Sequence, residues 1–161
     1  MVSVNKVRNI LRDLNDHTGW RFAVGVRIRF ANPTLLFQTY PQEWIDYYND
    51  NALIFTDPTI RWGLSHAGVC DWDDLRADDG AGMMTKAAEH GLRFGIVVSV
   101  GDVGSRTLGF FCHADRPLTA EEIAFAADRV EQMHDATEGL GEVSEDKLND
   151  LRAIGAGLRH D

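Results

Sequence analysis

Residues 22–39 read FAVGVRIRFANPTLLFQT, and their pattern decides the fold class. Phe22, Val24, Val26, Ile28 and Phe30 alternate with other residues, and Arg27 and Arg29 fall on the opposite face. Period-two alternation marks a half-buried β-strand, because successive side chains point to opposite sides of a sheet. Ala31-Asn32-Pro33 is turn chemistry, and Leu35 to Thr39 supplies a second strand. The stretch therefore predicts an antiparallel hairpin.

Upstream, Val4, Val7, Leu11 and Leu14 recur at helical spacing, with Ile10 beside them, and predict a helix over about Ser3 to Asp16 that stops at Gly19. Downstream, Pro41 suits the first position of a helix carrying Trp44, Ile45, Tyr47 and Tyr48, with Glu43 in its first turn. Asp57-Pro58 repeats the signal, with Asp57 as N-cap of a shorter helix. Gly63 to Trp72 reads as a short strand or a loop, and another helix covers about Gly82 to His90. Ile96 to Val100 and Leu108 to Cys112 form a second strand pair across the glycine-containing loop GDVGSR. Thr119 and Glu122 make a capping box for a helix with Ile123, Ala126, Ala127, Val130 and Met133 as its buried stripe. Gly139 to Gly141 reads as a linker, and Ser144 caps one more short helix. No parallel crossover is called for, so an antiparallel sheet with helices against its faces is expected.

The chain has 161 residues, 44% of them hydrophobic and 25% charged, which fits one soluble domain with its own core. Its net charge of −9, from 25 acidic and 16 basic residues, disfavours nucleic-acid binding. No apolar run reaches the ~18 residues of a membrane span, and the N-terminus lacks a signal-peptide core. Cys70 and Cys112 have neither a disulfide framework nor metal-ligand spacing around them. A cytoplasmic location is the expectation.

Catalytic chemistry finds no constellation. Histidines 17, 66, 90, 113, 134 and 160 include no HExxH and no other pair at ligand spacing, so no metal is expected. There is no GxSxG and no phosphate-binding glycine loop. Cys112, among Leu108, Phe110 and Phe111, reads as an inert buried thiol, and His113 as a satisfied histidine.

The informative region is Tyr40 to Trp72. Tyr40, Trp44 and Tyr48 are spaced by four and would share one helical face, either as core or as one side of a pocket. In the pocket reading they converge with Asp57 and Trp72 to give an indole donor, two phenols and a carboxylate acceptor. Such a pocket suits a mostly apolar ligand with a small amide-bearing head.

The pattern YPxxWxxxYxxxxxxxxDP, followed by a Trp fifteen residues after the Asp, resembles the autoinducer-binding domain of LuxR-type quorum-sensing regulators. Its residues here are Tyr40, Pro41, Trp44, Tyr48, Asp57, Pro58 and Trp72, and the likeness runs to about Gly139. It implies an α/β fold: an α-β-α sandwich with a central antiparallel sheet of about five strands and helices on both faces. It further implies a bacterial, cytoplasmic, dimeric signal sensor that binds an N-acyl-homoserine lactone, needs no cofactor and is not an enzyme. Trp44 would donate to the lactone carbonyl, Asp57 would accept the ligand amide N–H, and Tyr40 would donate to the acyl carbonyl. Tyr48 and Trp72 would form walls, and Thr59 would add a hydroxyl near the head group. Val24, Val26, Val97 and Leu92 would line the tail.

Two positions depart from the family pattern. Val69 stands where proline is common, and Cys112 where a Ser or Thr often faces the ligand amide; a thiol is the weaker hydrogen-bond partner. By the same resemblance, residues 1–139 form the sensor domain. Residues 140–161 would be a linker with a first-helix stub of a helix-turn-helix domain, or a generic amphipathic tail. No recognition helix follows, so this stretch is not expected to bind DNA by itself. Competing readings are a short LuxR-like antagonist that pairs with a full-length regulator, an orphan sensor for another small molecule and, weakest, a lactone hydrolase.

Overall fold

The computed structural model of the chain describes residues 1–17, 19–29 and 32–158. Phe30, Ala31 and His160, read above as strand, turn and histidine, lie outside the described residues. The elements run α1 (Val4–Asp16), β1 (Arg21–Ile28), β2 (Leu35–Gln38), α2 (Gln42–Asp50), α3 (Pro58–Ser65) and β3 (Gly68–Asp71). They continue with α4 (Met83–Ala88), β4 (Phe94–Val100), β5 (Arg106–His113), α5 (Ala120–Ala136) and α6 (Glu145–Ala156). Short 3-10 segments cover Leu53–Phe55, Trp72–Asp78 and Leu140–Glu142. The five strands form one sheet in the order β2-β1-β5-β4-β3, with every neighbouring pair antiparallel. The expected sandwich is present, and the ambiguous Gly63–Trp72 stretch supplies both the end of α3 and the edge strand β3.

Local chemistry accounts for most boundaries. Ser3 and Ser144 accept hydrogen bonds from Lys6 N–H and Lys147 N–H, capping α1 and α6. Pro41 has ψ 138°, outside the helical range, so α2 starts one residue later than expected and Pro41 takes the N-cap place. α4 is capped from four residues upstream: the Asp79 carboxylate accepts from Met83 N–H at 2.9 Å and Met84 N–H at 2.8 Å.

β1 is not half-buried. Phe22 to Val26 are buried without interruption, because helices cover both faces of the sheet. Strand parity therefore sorts side chains between two cores rather than between core and water. Phe22, Val24 and Val26 join Val7, Leu11 and Leu14 of α1, Val130 and Met133 of α5 and Leu151 of α6. Ala23 joins the second core, under α2, α3 and α4, with Trp44, Trp72, Met83 and Phe110. Val24 and Val26, expected along a ligand tail, thus point away from it.

The parity then breaks. A register shift between Gly25 and Ile28 carries Arg27 at φ +52°, and Ile28 emerges on the same side as Ala23. Arg27 does not face water. Its guanidinium donates to His134 O at 2.6 Å and to Ser105 Oγ at 3.3 Å, a cation against the last turn of α5. These bonds hold a left-handed backbone that a non-glycine residue disfavours.

β2 is an edge strand whose Leu35 and Phe37 face the first core. α6 lies against it so closely that a Cβ on Gly155 would sit 3.1 Å from the Phe37 ring. Residues 140–158, expected as linker and tail, carry Leu140 and Leu151 buried in the core beside α1.

Glu122, third residue of α5, ties the ends of three elements together. Its Oε1 accepts from Thr119 N–H at 2.9 Å and Arg116 Nη1 at 2.8 Å, while Glu122 N–H donates to Thr119 Oγ1, completing the capping box. Its Oε2 lies 2.6 Å from His17 Nε2 and 2.8 Å from His113 Nε2. Burial pushes this carboxyl up, but bonds from Arg116, Thr119, His17 and His113 outweigh that effect and hold it well below the usual range. His17, His113 and Glu122 are also the one metal-type cluster among the described residues, but the carboxylate is already neutralised by Arg116 and filled by hydrogen bonds.

A group with a depressed folded pKa adds stability above its ordinary value, here 4.5, and loses that stability as pH falls. Glu122→Gln retains the capping box and removes the charge. It is expected to lower Tm at pH 7 by about 6–12 °C, corresponding to about 3 kcal/mol for a broken buried pair. The gap to the parent chain should narrow steadily below about pH 4.5. Thermal melts at pH 7, 4 and 3 check this; a gap independent of pH would refute the ionic account.

Candidate ligand-binding site

Small residues on the second face of β1 leave room beneath α2 and α3. Ala23 and Gly25 alternate with the bulky Phe22, Val24 and Val26, so the space missing from one face is filled on the other. Above them lies a cavity of about 470 Å³ between the sheet and α2, α3 and α4. Ala23, Gly25 and Phe110 line it from the sheet, and Met83, Met84, Ala87 and Leu92 from the α4 region. It reaches the surface near Leu36 and Phe55, which are 50% and 78% exposed.

Tyr40, Trp44, Tyr48, Asp57, Thr59, Trp72 and Leu92 all line this one cavity. Tyr40 does not share the helical face of the other two, since it precedes α2 and enters from the end of the β2 segment. Val97 and Cys112 belong to the core behind the wall. Val97 pairs in register with Phe110, one strand further across the sheet, and Cys112 sits opposite Arg21 and Gly95. Burial pushes the Cys112 thiol up, keeping it protonated and inert.

Asp57 is the chemical centre. As N-cap of α3 its Oδ1 accepts from Thr59 N–H at 2.8 Å and Thr59 Oγ1 at 2.7 Å. Its Oδ2 accepts from the Tyr48 hydroxyl at 2.8 Å, which joins α2 to α3. Burial pushes the Asp57 carboxyl up, opposed by the bonds from Thr59, Tyr48 and the Ile60 N–H. A raised folded pKa adds stability below the ordinary aspartate value and loses it as pH rises, so ionisation of Asp57 counts against the fold as pH rises. A further N–H donor in the cavity would relieve that cost. Burial also pushes the Tyr40 and Tyr48 phenols up, so both stay neutral donors.

Trp44 is buried, its ring 5.9 Å from Tyr48 and 5.5 Å from His90. Trp72 carries a feature invisible in the sequence: its buried indole Nε1–H has no acceptor among the described residues. An orphaned buried donor is costly, and one on a cavity wall is suited to a ligand oxygen. The ring lies flat against Gly95, where a Cβ would come within 2.5 Å of its carbons.

Sequence reasoning missed Ala23, Gly25, Gln38, Met83, Met84 and Phe110 as wall residues. The available signal was the run of small residues at alternate β1 positions, which marks a strand face that cannot fill its own space. The arrangement as a whole is an apolar cavity with a carboxylate and two indoles on its wall, fit for an acylated molecule with a compact polar head.

The autoinducer binding domain family model matches residues 4–136. The transcriptional activator protein SolR of Ralstonia solanacearum is 36% identical over 92 residues, covering 55% of this chain and 38% of SolR. The chain thus spans well under half the length of this relative. Escherichia coli SdiA in complex with octanoyl-rac-glycerol has a TM-score of 0.60 at 18% identity, over 98% of this chain and 72% of that one. The N-acylhomoserine lactone dependent LuxR family transcription factor CepR2 from Burkholderia cenocepacia has a TM-score of 0.55 at 18% identity, over 83% and 76% of the two chains. At these identities the structural likeness establishes the shared fold.

Gly95→Ala drives a methyl group into the Trp72 ring. It is expected to cost about 1–3 kcal/mol and to shift tryptophan emission as the ring moves. Denaturant unfolding and fluorescence check both; an unchanged spectrum would show that the ring is not pinned there.

Proposed function

The chain belongs to the autoinducer-binding-domain family of LuxR-type regulators, and on that premise we propose that its cavity binds an N-acyl-homoserine lactone. The family is one of non-enzymatic, small-molecule-sensing domains in transcription regulators. Among the described residues no helix is long and apolar enough to cross a membrane.

One observation carries the ligand reading: the ionised-form cost of Asp57 and the orphaned Trp72 indole occur on the wall of the same largely apolar cavity. An amide N–H supplies what the carboxylate lacks, and a carbonyl or ring oxygen supplies what the indole lacks. Asp57 accepts the ligand amide, Trp44 donates to the lactone carbonyl, and Tyr40 donates to the acyl carbonyl. Thr59 adds its hydroxyl near the head group, and Trp72 closes the head-group end. The acyl chain runs over Ala23 and Gly25 toward Leu36, with Leu92, Met83 and Phe110 beside it. Each buried CH₂ contributes roughly 0.8 kcal/mol, so chain length governs affinity. An acyl chain in the cavity adds apolar contacts to the second core. The folded domain, as a homodimer within a longer regulator, then supports transcriptional control.

The test is thermal unfolding of this chain against N-acyl-homoserine lactones of four to twelve carbons, with octanoyl-glycerol in parallel. A ligand at ~100 times its Kd is expected to add about 2.7 kcal/mol, or roughly 5–11 °C. Asp57→Asn retains an N-cap residue, so the variant folds, yet its shift is expected to vanish because the acceptor facing the amide is altered. A shift with octanoyl-glycerol and none with any lactone would assign a different acylated signal. No shift with either, from ligand-free folded protein, would overturn the sensor reading for these classes.

A further inference from the structure

We propose that Gln38 is the residue that distinguishes acyl chains bearing an oxygen on their third carbon from unsubstituted ones. The inference rests on the lactone reading above and adds a selectivity determinant to it.

Parity on β2 places the residue. Leu35 and Phe37 face the α1–α5–α6 core, whereas Leu36 and Gln38 line the cavity. Tyr40, which donates to the acyl carbonyl in the proposed pose, lies two residues beyond Gln38 and lines the same cavity. Thr39 N–H donates to Phe22 O at 2.8 Å, carrying the pairing with β1 one residue past the strand end before the chain bends at Tyr40. Gln38 therefore lies between the group that fixes the first carbonyl and Leu36, toward which the tail runs in the proposed pose. In that pose the first carbons of the chain pass its side chain.

The space in front of it is open. Gln38 is paired in register with Ala23, whose methyl group leaves cavity rather than side chain beside the amide. Its amide has no hydrogen-bond partner among the described residues. The competing polar groups near the head are committed, since Tyr48 and Thr59 both donate to Asp57. Asn32 and Asn49, the other amides on the wall, are exposed. Cys112 is not among the residues that line the cavity. A glutamine amide both donates and accepts, so it serves a 3-oxo group through its NH₂ and a 3-hydroxyl through either atom.

The experiment compares length-matched octanoyl, 3-oxo-octanoyl and 3-hydroxyoctanoyl homoserine lactones by calorimetry on the full chain and on Gln38→Leu. The parent chain is expected to prefer at least one oxygenated ligand by about fivefold, the worth of one net hydrogen bond. Gln38→Leu is expected to erase that preference while binding the unsubstituted ligand at least as tightly, with an unchanged melting temperature. Equal affinity across the trio in the parent chain, or a preference that survives in Gln38→Leu, overturns the role of Gln38 and leaves the lactone reading standing. Failure of all three to bind overturns the lactone reading and this one with it.

Discussion

A buried carboxylate held by hydrogen bonds alone organises the ligand side of this domain. Asp57 caps α3 through Thr59, reaches α2 through Tyr48, and lines the cavity with the same side chain. Among the described residues no cation contributes to its environment, in contrast to Glu122 on the other side of the sheet, which draws on Arg116 and two histidines. The two acids show opposite solutions to burial. Glu122 is saturated, far below its ordinary pKa, and structural. Asp57 is under-supplied and raised, a state that favours the arrival of another donor.

The sheet makes that asymmetry possible. Both of its faces are covered, yet the side chains of β1 are distributed unevenly, large toward α1, α5 and α6 and small toward α2 and α3. The second core retains a cavity of about 470 Å³ on the face lined by the small residues. The register shift at Arg27 returns Ile28 to the cavity side and ends the run of small residues. Arg27 bonded to the last turn of α5 anchors the shift, so the limit of the cavity on β1 is set from the opposite layer.

Much of this was legible in the residues. Alternation in 22–39, the Thr119–Glu122 capping box and the Asp57-Pro58 start signal located their elements to within a residue or two. The cavity set around Tyr40, Trp44, Asp57 and Trp72 was reached through family resemblance, because aromatic spacing alone fits core packing equally well. Periodicity failed where tertiary context reversed its meaning. Val24 and Val26 alternate as a half-buried strand does, but which face meets the ligand depends on where helices far along the chain come to rest. The short strand β3 has an exposed pattern with only Cys70 partly covered, so no hydrophobic period announced it. The orphaned indole of Trp72 depends on the positions of acceptors from other elements, which no local pattern encodes.

β2 divides its side chains between the two layers, so one short strand serves both. Leu36 and Gln38 line the cavity, while Phe37 meets α6 at Gly155, where an added methyl group would sit 3.1 Å from its ring. At an edge of the sheet, β2 is restrained by β1 on one side only. The cavity wall and the seat of the last helix are therefore two faces of the same four-residue strand.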